Sequence, residues 1–174
     1  MKQIIIYFIL LLLKPDMVST LVLNCAVIFS VAETQRPRAT AKQQTIHLQN
    51  ETAPVTVLVD PSVMVQVLEN LVSNAVKYSP PGKNIFVRLK KEPGAIRCEV
   101  QDEGPGLSAE DQKKLFGKFA RLSAKPTGGE HATGLGLSIV KKMVEAMNGK
   151  VWCESEPGEG ATFIVTIASA GAAS

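Results

Sequence analysis

The chain has 174 residues, of which 45% are hydrophobic and 20% are charged, and its formal net charge is +3. This composition is typical of a globular domain with a core of ordinary size plus an appendage, and it excludes a disordered chain. The small, dispersed positive charge does not favour a nucleic-acid partner. Cys25, Cys98 and Cys153 are widely separated, which favours a reduced, cytoplasmic protein without disulfides or a zinc site.

The N-terminal segment, residues 1–29, is apolar and differs from the rest of the chain. Its longest apolar run, Ile4–Leu13, would form a helix ~15 Å long, about half of the ~30 Å hydrocarbon layer of a membrane. Extending the run to Phe29 gives enough length, but it places Lys14 and Asp16 in mid-span, where each costs ~2.5–3.5 kcal/mol. We expect either a membrane anchor or a non-native start, and the sequence leaves both open. A cleaved signal peptide is disfavoured, because charged residues follow the run where small residues are expected.

Regular patterns begin at residue 41, after a predicted linker over residues 30–40. The stretches TIHL and VTVLV are typical of short strands. Asp60 and Pro61 favour the start of a helix, because Asp is a preferred N-cap and Pro suits the first helical position. The apolar residues that follow recur at three- and four-residue spacing and predict a core-facing helix: Met64, Val67, Leu68, Leu71, Val72, Ala75 and Val76.

Strands and helices are mixed in the second half of the chain. The alternating stretches NIFVRLK and AIRCEVQD predict an antiparallel hairpin, and SAEDQKKLF predicts a short helix with a capping box. Residues 121–133 lack periodicity and are predicted as a flexible loop, whereas residues 136–148 predict a helix that Gly149 ends. KVWCES and ATFIVTIA predict a last hairpin. We therefore expect an α+β domain over residues 41–168, with helices on one face of a largely antiparallel sheet, and a flexible tail at 169–174.

The long helix predicted after Asp60 also carries a polar stripe. At ~100° per residue, its members fall within a narrow sector beside the apolar stripe: Gln66, Asn70, Asn74 and Lys77. Two amides four residues apart can offer carbonyl oxygens to one small cation, and Lys77 can reach a phosphate. A solvated helix face is the alternative, because polar faces are common. Asparagine is a poor helix former, however, so two in register need a reason.

The stretch DEGPGL places Asp102 at the end of a strand, followed by Gly104 and Gly106. The carboxylate could accept a hydrogen bond from an exocyclic amine, and the glycines would leave space for a planar ring. A plain turn is the alternative, because Asp and Gly are common in turns.

A second group of glycines precedes the helix predicted at residue 136. Gly134 and Gly136 stand where glycine costs ~1 kcal/mol relative to alanine, so they indicate either close packing or the approach of a ligand. Free backbone N–H groups at a helix N-terminus favour phosphate. Gly128 and Gly129 lie upstream, and positive charge is added by Lys118, Arg121 and Lys125.

Four stretches, in this order, resemble the conserved boxes of bacterial sensor histidine kinases. QVLENLVSNAVKYSP resembles the asparagine box, QDEGPGL the first glycine box and LFGKFARL the phenylalanine box. ATGLGLSIVKKMVEAMNGKVWCESEPGEGATFIVTI resembles the second glycine box. The resemblance covers about residues 41–168 and implies the two-layer Bergerat ATP-binding sandwich, which gyrase-type ATPases, heat-shock chaperones and mismatch-repair ATPases share. It also implies ATP and Mg²⁺ as ligands.

The resemblance further implies roles for particular residues. Asn74 corresponds to the magnesium ligand with Asn70 beside it, Lys77 to a phosphate contact, Tyr78 to an adenine-pocket aromatic and Asp102 to the acceptor of the adenine amino group. Phe116 and Phe119 correspond to the box that steadies the lid over the nucleotide, and Gly134 and Gly136 to the hinge of that lid. We predict Asn70, Asn74 and Lys77 as catalytic residues. The remaining predicted ATP-binding residues are Gly104, Gly106, Arg121, Leu135 and Leu137.

One position discriminates among members of this fold. Those that hydrolyse ATP place a glutamate general base four residues before the metal-binding asparagine, and here that position is Asn70. Asparagine cannot take a proton, and Glu69 is rotated ~100° away. The sequence therefore favours a site that holds ATP for transfer to another nucleophile.

The acceptor of the phosphoryl group is not evident in the sequence. His47 lies in a predicted strand and His131 in the predicted loop, so neither is a convincing acceptor. We expect the catalytic domain of a histidine kinase that phosphorylates a histidine on a dimerisation hairpin in another segment or chain, with a response regulator as a further partner. The alternative is a non-catalytic ATP-binding fragment that regulates intact kinases. We expect a cytoplasmic location, with membrane association open through residues 4–29.

Overall fold

Strands and helices follow one another in a computed structural model that describes residues 20–23, 25–51, 55–120, 122–129 and 134–169. The elements, in chain order, are β1 (Thr20–Leu23), α1 (Cys25–Ala41), β2 (Thr45–Asn50), β3 (Val55–Leu58), α2 (Pro61–Tyr78), β4 (Asn84–Glu92), β5 (Ala95–Asp102), α3 (Ala109–Lys114), α4 (Gly136–Ala146), β6 (Lys150–Ser155) and β7 (Ala161–Ala168).

The main sheet has five strands in the order β2-β4-β5-β7-β6. β2 pairs with β4 in parallel, and the other neighbours pair antiparallel. Burial alternates along β4 and β5, so one face of the sheet is apolar, and α1, α2 and α4 contact this sheet or one another. β1 and β3 form a separate antiparallel pair. The predicted α+β class with a mixed, mainly antiparallel sheet is confirmed.

Helix α2 is the central element of the helical layer. The Asp60 carboxylate caps its N-terminus by accepting the N–H groups of Ser62 at 2.8 Å and Val63 at 3.4 Å. All seven residues of the predicted apolar stripe are buried, and α2 contacts α1, α4, β4 and β5. The start and the buried face of this helix are as the sequence predicted.

Helix α1 differs from the sequence-based expectation. Residues 30–40, which we predicted as a linker, lie inside this helix, and it packs on α2 and β2. Its buried positions keep a helical spacing, namely Ile28, Val31, Ala32, Gln35 and Ala39. The spacing was hard to recognise because polar Gln35 interrupts the apolar stripe and Pro37 lies within the helix.

Residues 1–19 and 24 of the apolar N-terminal segment lie outside the described residues. The described part of that segment contributes strand β1 and the first turns of α1. No described helix has both the length and the apolar character needed to cross a membrane. At the other end, the backbone N–H of Ser169 donates to the Gly94 carbonyl at 3.0 Å, and residues 170–174 lie outside the described residues.

The start of α3 and the end of α4 can be compared with the predictions for the second half of the chain. The Ser108 hydroxyl accepts the N–H of Asp111 at 3.1 Å and caps α3, as the capping pattern predicted. Helix α4 ends at Ala146, two residues before the predicted end, and Asn148 adopts the left-handed conformation with φ 54°. Gly149 is required instead by close packing, because a Cβ there would lie 2.7 Å from the Thr166 carbonyl oxygen.

The packing of α1 predicts that this helix stabilises the domain. Ile28 is 1% exposed, so Ile28→Ala should lower the free energy of unfolding by about 2–5 kcal/mol. Arg38→Ala, at an exposed position of the same helix, is the control and should change it by less than about 0.5 kcal/mol. Denaturant unfolding of both variants measures the difference, and equal stabilities would show that α1 does not belong to the core.

Candidate functional site

A cavity of about 490 Å³ lies beside α2. Its walls come from α2, the end of β5 with the loop after it, β7, residues 115–126 and the start of α4. Nine of the predicted site residues line it: Asn70, Asn74, Lys77, Tyr78, Asp102, Gly106, Gly134, Gly136 and Leu137. Segments far apart in sequence therefore meet at one cavity.

The polar stripe of α2 forms one wall of this cavity. The Asn70 amide nitrogen donates to the Gln66 carbonyl at 2.9 Å, and its oxygen lies toward α4, where a Cβ at Gly136 would approach it to 3.2 Å. Asn70 and Tyr78 both line the cavity and are separated by ~12 Å along the helix axis. Glu69 is not a lining residue, as its rotation on the helix predicted.

The Asp102 carboxylate lies at the Tyr78 end of the cavity. It is 4% exposed and accepts the N–H of Gly104 at 2.8 Å and the backbone N–H of Ala161. Burial raises the pKa of Asp102 to about 6, although these two hydrogen bonds act to lower it. A Cβ at Gly104 would lie 2.7 Å from the carboxylate and 3.1 Å from the Tyr78 carbonyl. Glycine is therefore required for this hydrogen bond, which a plain turn would not need.

The glycines before α4 have a packing role in addition to any role toward a ligand. Gly134 has φ 69°, and a Cβ there would lie 2.9 Å from the Ala120 carbonyl oxygen. The sequence left open whether these glycines serve close packing or the approach of a ligand. At Gly134 the structure shows close packing. Helix α4 begins at Gly136 without a side-chain hydrogen bond at its N-cap, Leu135. Its N-terminus lies at the cavity, because Gly136 and Leu137 line it.

Other predicted residues lie outside the lining. Gly104 contacts Asp102 instead, and Leu135 is the N-cap of α4. Phe116 packs partly buried against the core, whereas Phe119 is 68% exposed with φ 56°. Arg121 lies outside the described residues.

His47 is not among the residues that line the described cavity. His47 is half-buried on β2, stacks on Phe86 with ring centroids 4.9 Å apart, and lies 2.9 Å from the Asn84 amide oxygen. It is a sheet residue, as predicted, and His131 lies outside the described residues. Among the described residues, no group of three or more His, Cys, Asp or Glu side chains could hold a metal ion.

The sequence analysis missed most of the apolar lining. Phe163 belongs to a strand whose alternation could have shown that it faces inward, but loop residues such as Leu122 carry no periodic signal. Lys125 had been considered only as nearby positive charge. The lining residues that were not predicted are Ser73, Pro105, Leu107, Leu115, Ala120, Leu122, Ala124, Lys125, Pro126, Ala161 and Phe163.

The family of the chain follows from its sequence match over this region. The family described as histidine kinase-, DNA gyrase B-, and HSP90-like ATPase matches residues 59–170. The chain belongs to this family. The match includes every residue that lines the cavity, so the cavity lies in an ATP-binding domain of the histidine-kinase type, as the sequence predicted.

Two curated relatives are sensor kinases. The chain is 39% identical over 111 residues to the sensor-like histidine kinase SenX3 of Mycolicibacterium smegmatis, which covers 64% of this chain and 29% of that protein. It is 38% identical over 111 residues to the sensor histidine kinase WalK of Bacillus subtilis, covering 63% and 18%. The chain therefore spans less than a third of the length of these histidine-kinase relatives.

Solved structures of histidine kinases share the fold. The catalytic domain of ThkA matches with a TM-score of 0.75 at 26% identity, covering 86% of this chain and 94% of that one. Full-length ShkA in complex with AMPPNP matches with a TM-score of 0.75 at 28% identity, covering 97% and 35%.

The buried carboxyl of Asp102 predicts a pH dependence of stability. Its pKa is about 6 in the folded chain against an ordinary value of 3.8, so the folded state binds the proton more tightly. The free energy of unfolding of the wild type should therefore fall as pH rises from about 4 to about 6, by roughly 2–3 kcal/mol relative to Asp102→Asn.

Denaturant unfolding across this pH range measures the effect. Asp60→Asn is the matched control, because hydrogen bonds from Ser62, its hydroxyl first, hold the pKa of Asp60 below 3.8. Its contribution has the opposite sign and is lost only as pH falls below about 4. Parallel profiles of wild type and Asp102→Asn between pH 4 and 6 would contradict the raised pKa.

Proposed function

We propose that the chain is the catalytic part of a sensor histidine kinase and transfers the γ-phosphoryl group of Mg-ATP to a histidine supplied by another segment or chain. The observation that carries this proposal is the order of groups along α2. Asp102 and Tyr78 lie at one end of the cavity, and Asn70 and the N-terminus of α4 lie ~12 Å away along the helix. This order suits an extended nucleotide with its base and its phosphates at opposite ends.

The Asp102 end suits an adenine base. Above pH 6 the carboxylate is charged and can accept a hydrogen bond from the exocyclic amine, which is stronger than a neutral one. Leu107 and Phe163 line the cavity together with Tyr78 and would cover the faces of a planar ring. A base without an amino group would add no donor to the two backbone N–H groups that the buried carboxylate already accepts, which gives selectivity.

The Asn70 end suits phosphates. The N-terminus of α4 lies at this end, and the positive end of its dipole favours negative charge. Lys77 and Lys125 also line the cavity. The Lys77 ammonium lies 5.7 Å from the Tyr78 ring centroid, and the side chain would have to extend from there toward the phosphates. Mg²⁺ prefers oxygen ligands and keeps few protein ligands beside phosphates and waters. The amide oxygens of Asn74 and Asn70 fit this requirement and would hold the ion, which would neutralise charge on the phosphates.

Catalysis by this chain would depend on positioning and charge stabilisation. Asn70 occupies the position from which a glutamate would activate water, and an amide cannot accept the proton. Lys77 and the N-terminus of α4 would stabilise the transferring phosphoryl group while an external imidazole nitrogen attacks in line. The site would thus protect ATP from hydrolysis and favour transfer.

The partners follow from this proposal. The acceptor would lie on a histidine-containing dimerisation hairpin, and a response regulator would receive the phosphoryl group next. We propose a cytoplasmic location for the domain. This proposal does not depend on whether residues 4–29 attach the chain to a membrane. A non-catalytic ATP-binding fragment is the second candidate, favoured because His47 is engaged with Phe86 and Asn84 on β2, away from the cavity lining.

Nucleotide binding tests the first part of the proposal. Isothermal titration of the chain with ATP should give saturable binding that Asp102→Asn weakens by more than tenfold, the effect of losing a charged hydrogen bond of ~1.5–3 kcal/mol. Asn74→Ala should weaken binding in Mg²⁺ and have little effect in EDTA. Lys142→Ala, at an exposed position of α4, is the control, and a folded wild type that binds no ATP would overturn the proposal.

Phosphoryl transfer separates the two candidate functions. Mixed with γ-labelled ATP and a separately expressed hairpin from a relative such as SenX3, the chain should label the hairpin in an acid-labile form. Asn74→Ala should abolish the label because it removes the proposed metal ligand. ATP binding without transfer to hairpins from several relatives would favour the non-catalytic fragment.

A further inference from the structure

One wall of the cavity is a short segment that side chains hold at both ends. We name residues 123–127 the strap. Its middle residues, Ala124, Lys125 and Pro126, line the cavity. Within a stretch predicted from sequence as a flexible loop, the strap is instead fixed by specific hydrogen bonds at Ser123 and Thr127.

The first anchor of the strap is the Asp111 carboxylate of α3. It accepts the backbone N–H of Ser123 at 3.1 Å and also the Ser123 hydroxyl. Asp111 is 7% exposed, whereas Ser123 itself is exposed, so these bonds are partly buried. This anchor lies within the nucleotide domain and connects the strap only to α3.

The second anchor is the C-terminal end of α2. The backbone N–H of Thr127 donates to the Lys77 carbonyl at 3.0 Å, and its hydroxyl donates to the Ser79 carbonyl at 2.7 Å. The Lys42 ammonium donates to the Thr127 hydroxyl at 2.6 Å and to the Val76 carbonyl at 2.7 Å. One lysine therefore joins the strap to helix-end carbonyls, where a positive charge is favoured.

Lys42 is itself held in place. It directly follows α1, which packs on α2, and its carbonyl accepts the N–H of Gly82 at 3.0 Å. The Gln44 amide nitrogen donates to the carbonyls of Val76 at 3.1 Å and Ser79 at 2.7 Å. The helix end on which Lys42 acts is thus held by several hydrogen bonds, and the position of the ammonium is set by both its backbone and its acceptors.

We propose that Lys42 is a positioning residue of the nucleotide site, which holds the strap at the cavity and connects the segment before the ATP-binding domain to the cavity wall. This inference rests on the proposed function, because the effect of the strap would be measured as a change in ATP affinity. Lys42 does not line the cavity, so it would act through Thr127 and not by touching the nucleotide. A displacement of α1 would reach the cavity by the same contact.

Three variants of the full chain test this role. Lys42→Met keeps the aliphatic stem and removes the charged donors, and Thr127→Val removes the hydroxyl from the other partner. Lys83→Met removes an exposed lysine close to the same turn and is the matched control. For each we would measure ATP affinity by calorimetry, the thermal unfolding midpoint, and amide hydrogen exchange of residues 122–129 without nucleotide.

We expect Lys42→Met to weaken ATP binding about five- to tenfold and to speed exchange in the strap, with the unfolding midpoint close to that of Lys83→Met. The double variant Lys42→Met/Thr127→Val should weaken ATP binding by less than the two single effects combined, since both changes break the Lys42–Thr127 bond. It can still bind more weakly than Lys42→Met alone, because Thr127→Val also removes the hydroxyl bond to the Ser79 carbonyl. Fully additive effects would contradict the shared contact. ATP affinity and strap exchange equal to those of Lys83→Met would overturn the inference. So would faster exchange along all of α2 with a lowered midpoint, because Lys42 would then act only as a helix cap. A wild type that binds no ATP would instead overturn the proposed function itself.

Discussion

The apolar stripe of α2 is buried between the sheet and its neighbouring helices, and this burial sets the rotation of α2 about its axis. Because side chains three and four residues apart share a face, fixing the apolar stripe also fixes the polar one. Asn70, Asn74 and Lys77 are thereby presented to the cavity without needing contacts of their own to orient the helix. Any change that rotated α2 would move the whole polar wall at once.

At the other end of the cavity, burial of the Asp102 carboxyl group costs free energy. A carboxyl group that is buried at Asp102 favours its neutral form, which is why its pKa rises to about 6. Two backbone N–H groups offset part of this cost, and one of them comes close enough only because residue 104 is glycine. A group that lowers stability but lies ready to accept a hydrogen bond is typical of a binding site.

Contacts from outside the matched family region support the cavity wall without lining it. Helix α1 and Lys42 precede residue 59, where the family match begins, yet they contact α2 and the strap. The end of α2 therefore has two functions: its side chains face the cavity, and its carbonyls bind the segment that enters the domain. The cavity-facing side chains and the carbonyls that bind Lys42 belong to adjacent turns of α2. A movement of α1 and Lys42 would therefore change the shape of the cavity.

The sequence by itself determined the elements with a clear local period: α2 with both of its stripes, the hairpin of β4 and β5, and the last hairpin. It also predicted four of the polar groups at the cavity, Asn70, Asn74, Lys77 and Asp102, because spacing along one helix and the position at a strand end are local properties. It did not identify Ser73 or Lys125 as lining residues. Only the tertiary structure decided that residues 30–40 pack as a helix, that Phe119 is exposed, and that loop residues such as Leu122 line the cavity. These depend on contacts between segments distant in sequence, which leave no periodic signal. The same reason explains Gly134, whose neighbour, the Ala120 carbonyl, is placed beside it only when the chain folds.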